Sequence, residues 1–187
     1  QLQVLRDFTP GPAKAFIASL HEAIDEVHDA PFPTVCMING ACLGAGFELA
    51  MACDLRTAAG DAVMGLPEIR VGIPSVIEAA LLPGVVGPGR AAEILLTGES
   101  VSARQAFEWG LVNRVVPKAD LMAGVGELAE KLLDKFPQCA RYTKTQVNSW
   151  KDLAWDATIG HARDWLALHF TSAEPFEGMN SFVEKRE

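Results

Sequence analysis

Positive charge is the scarcest ingredient of this 187-residue sequence: 16 Lys and Arg stand against 24 Asp and Glu, a formal net charge of −8, and no basic run exceeds the pair Lys185-Arg186. A nucleic-acid binder needs a basic stripe to neutralise phosphates, so no nucleic-acid partner is expected. Long hydrophobic runs are also lacking. Val35 to Ile38 and Ala79 to Leu82 fall far short of the roughly 20 apolar residues that cross a bilayer, so no membrane partner is expected and the chain reads as soluble. The four cysteines, Cys36, Cys42, Cys53 and Cys139, form no C-x-x-C pair. The four histidines, His21, His28, His161 and His169, belong to no H-E-x-x-H motif or Cys/His cluster. No metal site is therefore expected, and the thiols read as reduced, buried and inert. A G-x-S-x-G elbow is missing, and Ser75, the nearest serine at a turn, has no evident base, which leaves activated-serine hydrolysis without support. There is no internal repeat, low-complexity tract or flexible linker.

What is present is ordinary globular composition, 49% hydrophobic and 21% charged, enough for one sizeable core or two small ones. Between Pro12 and Asp29, the residues Phe16, Leu20, Ala23, Ile24 and Val27 recur at helical spacing, opposite His21, Glu22, Asp25 and Glu26, which predicts an amphipathic helix. Pro31 and Pro33 end it, and the β-branched run Thr34 to Ile38 predicts a buried strand that Asn39-Gly40 breaks. A small-residue loop and good helix formers follow, so the expected order is strand, glycine loop, helix. Leu55 to Ala59, Val63 to Leu66 and Val112 to Val116 are further strand candidates. Ser75 is placed to cap a helix carrying Val76, Ala79 and Ala80 up to Pro83. Helices also fit Gly89 to Leu96 and Ser102 to Trp109, the latter stopped by Gly110. After Pro117 only helices are expected, over Asp120 to Lys135, Gln138 to Lys151, Ala157 to Phe170 and Ser181 to Arg186. Strands alternating with helices, then helices alone, predict an α/β core with a helical C-terminal part.

The most informative local feature is Gly44-Ala45-Gly46 directly before a helix. Its glycines let another molecule approach the backbone, and the first helical amides have no internal acceptors, so the loop suits an anion or an oxyanion. The alternative is a tight turn in which the glycines merely permit close packing. Its spacing is not that of a dinucleotide fingerprint. Glu48 sits in the first turn of that helix among Phe47, Leu49, Ala50, Met51 and Ala52, where an apolar residue would be expected, or where the helix dipole would favour an acid. Glu68 follows Pro67, 20 residues further on. Two carboxylates and a row of backbone donors suffice for proton transfer beside a thioester carbonyl.

The stretch Asn39-Gly40-Ala41-Cys42-Leu43-Gly44-Ala45-Gly46-Phe47-Glu48-Leu49-Ala50-Met51-Ala52-Cys53-Asp54 resembles the signature of the crotonase (enoyl-CoA hydratase/isomerase) superfamily. The resemblance continues through Pro67-Glu68-Ile69, Leu96-Thr97-Gly98-Glu99, Ala103 with Ala106, Gly110-Leu111-Val112, Gly178-Met179 and Phe182-Val183-Glu184-Lys185-Arg186. It implies a crotonase-like (ClpP/crotonase) spiral of ββα units over residues 1–118, with a helical trimerisation region over 119–187. It also implies an acyl-CoA thioester as ligand, coenzyme A being part of the substrate with no separate cofactor, and a homotrimer or dimer of trimers, hence a hexamer. Ala45 would supply one of two oxyanion-hole amides, and Glu48 and Glu68 the acid/base pair of an enoyl-CoA hydratase, a lyase of fatty acid metabolism. Leu43, Gly44, Gly46, Pro67 and Ser75 would line the substrate site. Phe182 and Lys185 match positions near the CoA adenine, with Lys185 toward a phosphate or a solvated tail residue.

Within the same resemblance, an isomerase of the same fold and a non-catalytic acyl-CoA-binding or oligomer-forming subunit are the alternatives. Two departures stand out. Ile73-Pro74 leads into Ser75-Val76-Ile77-Glu78-Ala79-Ala80 where the family has a glycine-rich stretch, and Glu78 is expected to be a solvated helix acid. The chain also begins at Gln1, where the family has completed its first ββα units, so the other oxyanion amide and most of the CoA loop are expected to lie outside it. The expected compartment is the cytoplasm. Trp109, Trp150, Trp155 and Trp165 read as packing or subunit contacts rather than adenine stackers.

Overall fold

The computed structural model describes residues 7–186. They form two compact units, one running up to Ala30 and again over Thr34–Gly126, the other comprising Pro31–Pro33 and the residues from Glu127 onward.

The first unit opens with helix α1 (Pro10–His28), with proline in its first turn where a missing N–H costs nothing. Strand β1 (Val35–Ile38) follows, then β2 (Ala41–Leu43). The second of these lies where the sequence pattern predicts only loop: three small or apolar residues carry no alternation, and they become a strand because Val63 to Gly65 offers a parallel partner. Helix α2 (Ala45–Ala52) leads to β3 (Leu55–Ala59) and β4 (Val63–Gly65). After β4 the chain makes two 3₁₀ turns, Pro67–Val71 and Glu78–Leu81. Helices α3 (Leu82–Val86) and α4 (Pro88–Thr97), strand β5 (Val101–Ser102), helix α5 (Ala103–Glu108), strand β6 (Arg114–Val116) and a 3₁₀ turn over Lys118–Asp120 complete the succession up to α6 (Leu121–Leu133).

The strands form two three-stranded sheets, β1-β3-β6 and β2-β4-β5. All pairings are parallel except β4 with β5. The break at Asn39-Gly40 thus moves the chain from one sheet to the other, and the Gly40 carbonyl accepts the Val63 amide at 3.3 Å. Asp54 bonds the Thr34 amide and hydroxyl at 2.6 and 2.9 Å, while the Asp54 amide donates to the Thr34 hydroxyl, locking the start of the β1–β3 pair. Between the layers lie Phe47, Met64, Leu66, Leu82, Ile94 and Leu111, all fully buried. Phe47 sits at the start of α2, so its burial fixes which way the neighbouring Glu48 faces.

A further device holds α2. Arg56 on β3 is buried, and its guanidinium donates to carbonyls that α2 leaves without amide partners: Ala50 at 3.2 Å, Met51 at 3.4 Å and Cys53 at 2.6 Å, besides Leu111 at 2.6 Å. A cation at a helix C-terminus also suits the helix dipole, although burial lowers the Arg56 pKa. Replacing Arg56 by Met leaves those carbonyls unpaired and is expected to cost roughly 2 kcal/mol, read as a lower urea midpoint with an unchanged slope. Elsewhere in the first unit, α5 starts with a capping box in which Ser102 accepts the Gln105 amide and the Gln105 side chain accepts the Ser102 amide.

The structure corrects three expectations. Ser75 does not cap a helix: the segment from Gly72 to Ile77 is irregular, the following turn is capped by Ile77, and Pro83 begins α3 instead of ending a helix. With proline at the second position of α3, the chain needs no amide there. Glu78 is not solvated but 8% exposed, because the 3₁₀ turn packs against α2. The thiols are not uniformly buried: Cys36, Cys42 and Cys53 are half-buried and Cys139 is exposed.

The second unit is helical: the rest of α6, then α7 (Pro137–Ser149), α8 (Trp155–His169) and α9 (Glu174–Glu184). Tyr142 packs on Trp165 with ring centres 4.6 Å apart, and the Trp165 indole donates to His161 Nε2 at 2.8 Å. In the first unit Trp109 lies under Arg90 at 5.2 Å. Both tryptophans therefore pack, as expected. Among the described residues no helix is long and apolar enough to cross a membrane.

Candidate active site

The loop at residue 44 is where the local chain demands glycine. Gly44 adopts φ 59°, ψ −134°, a region that side chains rarely enter, and a Cβ there would stand 2.5 Å from Glu68 Oε1. Its amide continues the β2–β4 ladder by donating to the Gly65 carbonyl at 3.0 Å. Its carbonyl accepts the amides of Phe47 and Glu48 at 2.8 and 3.0 Å, starting α2. Gly46, by contrast, has no positive φ, and a Cβ there would meet nothing within 4 Å. The tight conformation belongs to Gly44 alone. The amides of Ala45 and Gly46, at the first two positions of α2, precede any intrahelical acceptor, and both residues line the same cavity as Glu48.

That cavity, about 660 Å³, is lined by Leu43, Gly44, Ala45, Gly46, Glu48, Pro67, Glu68 and Ser75. Eight site residues read from the sequence, 32 positions apart at the extremes, thus meet on one wall system. The apolar side comes from Phe16, Ile17 and Leu20 of α1 and from Val71, Ile73, Val76 and Ile77. The sequence pattern puts Phe16 and Leu20 on the buried stripe of an amphipathic helix; the structure uses that stripe partly to wall a ligand-sized space. Phe182 and Lys185 are not among the lining residues and belong to the second unit. There Phe182 is 85% exposed, and Lys185 caps α9 in a left-handed conformation at φ 54°.

The two carboxylates occupy different environments. Glu48 is 5% exposed; its Oε1 accepts the Ala79 amide at 3.1 Å. Burial pushes its pKa from 4.5 up to about 7; the Ala79 hydrogen bond opposes this, and the charges of Glu78 and Glu68 add to it. Glu48 therefore exchanges its proton near neutrality. Glu68 is half-buried, and its Oε2 accepts the Ser75 hydroxyl at 3.3 Å. Ser75 thus reaches the cavity by a route other than helix capping: it steadies a carboxylate. The sequence reading misses Ala79 and the part-buried pair of Glu78 with His21, whose Oε1 and Nδ1 are 2.6 Å apart. Glu78 leaves a trace in the sequence, an acid between Ile77 and Ala79-Ala80, whereas His21 leaves none. Among the described residues, three groups placed to share a cation, Asp25, His28 and Asp29, lie at the end of α1 outside the cavity lining.

Residues 3–187 match the family model described as enoyl-CoA hydratase/isomerase. The chain is 38% identical over 155 residues to a crotonyl-CoA hydratase of Syntrophomonas wolfei, covering 82% of this chain and 60% of that protein. It is 39% identical over 159 residues to a mevalonyl-coenzyme A hydratase of Aspergillus fumigatus, covering 82% and 58%. The crystal structure of an enoyl-CoA hydratase from Bacillus anthracis superposes with a TM-score of 0.91 at 30% identity, covering 97% of this chain and 70% of that one. The chain thus spans about three fifths of the length of the curated relatives it matches. With two sheets exchanging the chain at Asn39-Gly40, a glycine-started helix carrying Glu48, and matches along its whole length, the chain belongs to the crotonase superfamily, the enoyl-CoA hydratase/isomerase family, and has its fold.

Proposed function

We propose that the chain carries the acid/base half of an enoyl-CoA hydratase site, adding water reversibly across the 2,3 double bond of an enoyl-CoA thioester. The observation that carries this reading is that Glu48, Glu68 and the first two residues of α2, Ala45 and Gly46, line one cavity of about 660 Å³. In hydration, the thioester oxygen takes a hydrogen bond from the Ala45 amide as negative charge develops on it. Such a fixed donor in a dry site lowers the barrier by about 3 kcal/mol. Glu48 and Glu68 hold a water between them. Its oxygen bonds to C3, one of its protons passes to a carboxylate, and a proton from the carboxylate pair goes to C2. Water is consumed whole and no other reactant is needed. A Glu48 with pKa about 7 suits a group that both takes and gives a proton. Gly44 keeps the loop open toward Glu68, Leu43 and Pro67 flank the thioester, and Ser75 orients Glu68. The apolar wall from α1 suits the acyl chain. Relatives named crotonyl-CoA and mevalonyl-coenzyme A hydratase support hydration over double-bond migration.

The test is ultraviolet loss of the conjugated enoyl thioester over a panel of acyl lengths, run in ¹⁸O-labelled water. Incorporation of solvent oxygen at C3 is the expected result. A shifted double bond without incorporation points to isomerisation instead, and acyl-CoA binding without turnover points to a non-catalytic subunit.

The second unit exposes Trp155, Ile159, Leu166, Phe176 and Phe182, apolar area that a lone chain leaves in water. This supports self-association as a homotrimer or a dimer of trimers, with Phe182 and Lys185 at the CoA adenine end of a site. Light scattering is expected to return three or six times the chain mass, and Trp155→Glu to lower it.

A further inference from the structure

Glu78 has no part in the hydration chemistry, yet it is a second buried acid beside it. The side chain is 8% exposed. Its Oε1 meets His21 Nδ1 of α1 at 2.6 Å across 57 positions of sequence, while its Oε2 is buried without a hydrogen-bond partner. The very next residue, Ala79, donates the backbone hydrogen bond that Glu48 Oε1 accepts at 3.1 Å. Glu78 is thus tied by its side chain to α1, and its peptide leads directly into the amide that holds Glu48. A carboxylate with one orphaned oxygen is expensive to bury, and its neighbours are arranged around that charge. Facing the group are Glu48 from α2, with Glu68 beyond it, and His21 from α1, with Glu22 and Asp25 alongside on the same helix. His21 is half exposed and the only member of the set that gains positive charge on protonation.

We propose that Glu78, anchored by His21, is a positioning residue for Glu48: it fixes the turn that presents the Ala79 amide and sets the charge against which Glu48 holds its proton. Its catalytic consequence rests on the hydration reading; its electrostatic one does not. The His21 pKa is raised chiefly by its hydrogen bond to Glu78, which favours the imidazolium form opposite the carboxylate. The two members of the pair therefore act on Glu48 in opposite senses. Removing the Glu78 charge releases the Glu48 proton; removing the His21 charge leaves Glu78 uncompensated and tightens it.

The experiment is a ¹³C carboxyl titration of Glu48 in the full chain, its signal assigned by disappearance in Glu48→Gln. Glu78→Gln is expected to lower the Glu48 midpoint by about one pH unit, and His21→Gln to raise it. The corresponding limb of the kcat/KM profile for an enoyl-CoA follows in the same order. A structural role alone would move both variants the same way. Movement below about 0.3 pH unit in Glu78→Gln, or shifts of equal sign, overturns the proposal. If Glu78→Gln does not fold, the half-exposed His21→Gln decides by itself: an upward shift supports the proposal, no shift or a downward one sinks it. Opposite-signed shifts without turnover of any enoyl thioester uphold the pairing and count against hydration alone; turnover with no shift does the reverse.

Discussion

Glu48→Gln is expected to lower turnover of a 2-enoyl-CoA at least about a hundredfold and, at the same time, to make the protein more stable above neutral pH. The two effects share one cause. Burial raises the Glu48 pKa from 4.5 to about 7, so the folded state binds this proton more tightly than the unfolded chain does. Stability from this group is therefore highest below pH 4.5, falls as pH rises through the interval, and stays low above about 7, where the carboxylate is charged in both states. A difference of that size corresponds to roughly 3 kcal/mol. Gln has nearly the same shape, still accepts the Ala79 amide and carries no charge, so the penalty vanishes. Urea unfolding of both proteins at pH 4 and pH 8 checks this: little difference at the lower pH, and a gain for the variant of about 2 to 3 kcal/mol at the higher. Equal stability at both pH values means that Glu48 is solvated enough to titrate like an ordinary acid. Near-normal hydration by the variant means that Glu48 is not part of the acid/base pair.

Gly44→Ala is expected to be the most damaging single-carbon change in the chain. At φ 59° and ψ −134° any side chain is strained, at a cost of about 1 to 3 kcal/mol. The added methyl would also lie 2.5 Å from Glu68 Oε1, so the carboxylate must leave its place. Stability is expected to fall by roughly 2 kcal/mol and kcat/KM by at least about a hundredfold, with kcat carrying most of the loss because the displaced group is the one we propose to act on the reacting water. Gly46→Ala is the internal contrast. It occupies a helical position with open space around it, so stability is expected to hold or to rise by up to about 1 kcal/mol. Thermal unfolding with enoyl-CoA assays on the pair separates backbone strain from simple crowding of the cavity.

Much of the first unit was legible because its determinants are local. Periodicity marks α1, the β-branched run marks β1, glycine and proline punctuate α4 and α5, and Ser102 with Gln105 writes a capping box into four residues. Glu48 is conspicuous as an acid in an apolar helix. Strand β2 is not legible, since three residues become a strand only when β4 supplies its hydrogen bonds. The segment after Ser75, expected to be one helix up to Pro83, is misread for a related reason: it stays irregular to Ile77 and then makes a 3₁₀ turn. Its propensities are weak, and packing against α2 and the Ser75 to Glu68 hydrogen bond decide its course.

The scarcity of positive charge and of long apolar runs already limits the partners, and the motif around Gly44 and Glu48 already identifies the family. Those properties depend on which residues are present and on short-range spacing, which a linear chain displays directly. The protonation behaviour of Glu48, the burial of Glu78 against His21 and the apolar wall lent by α1 depend on desolvation and on Coulombic distances between groups 20 to 57 positions apart. Free energies of that kind exist only once the chain has excluded water and brought distant charges together, so only the tertiary structure could decide them.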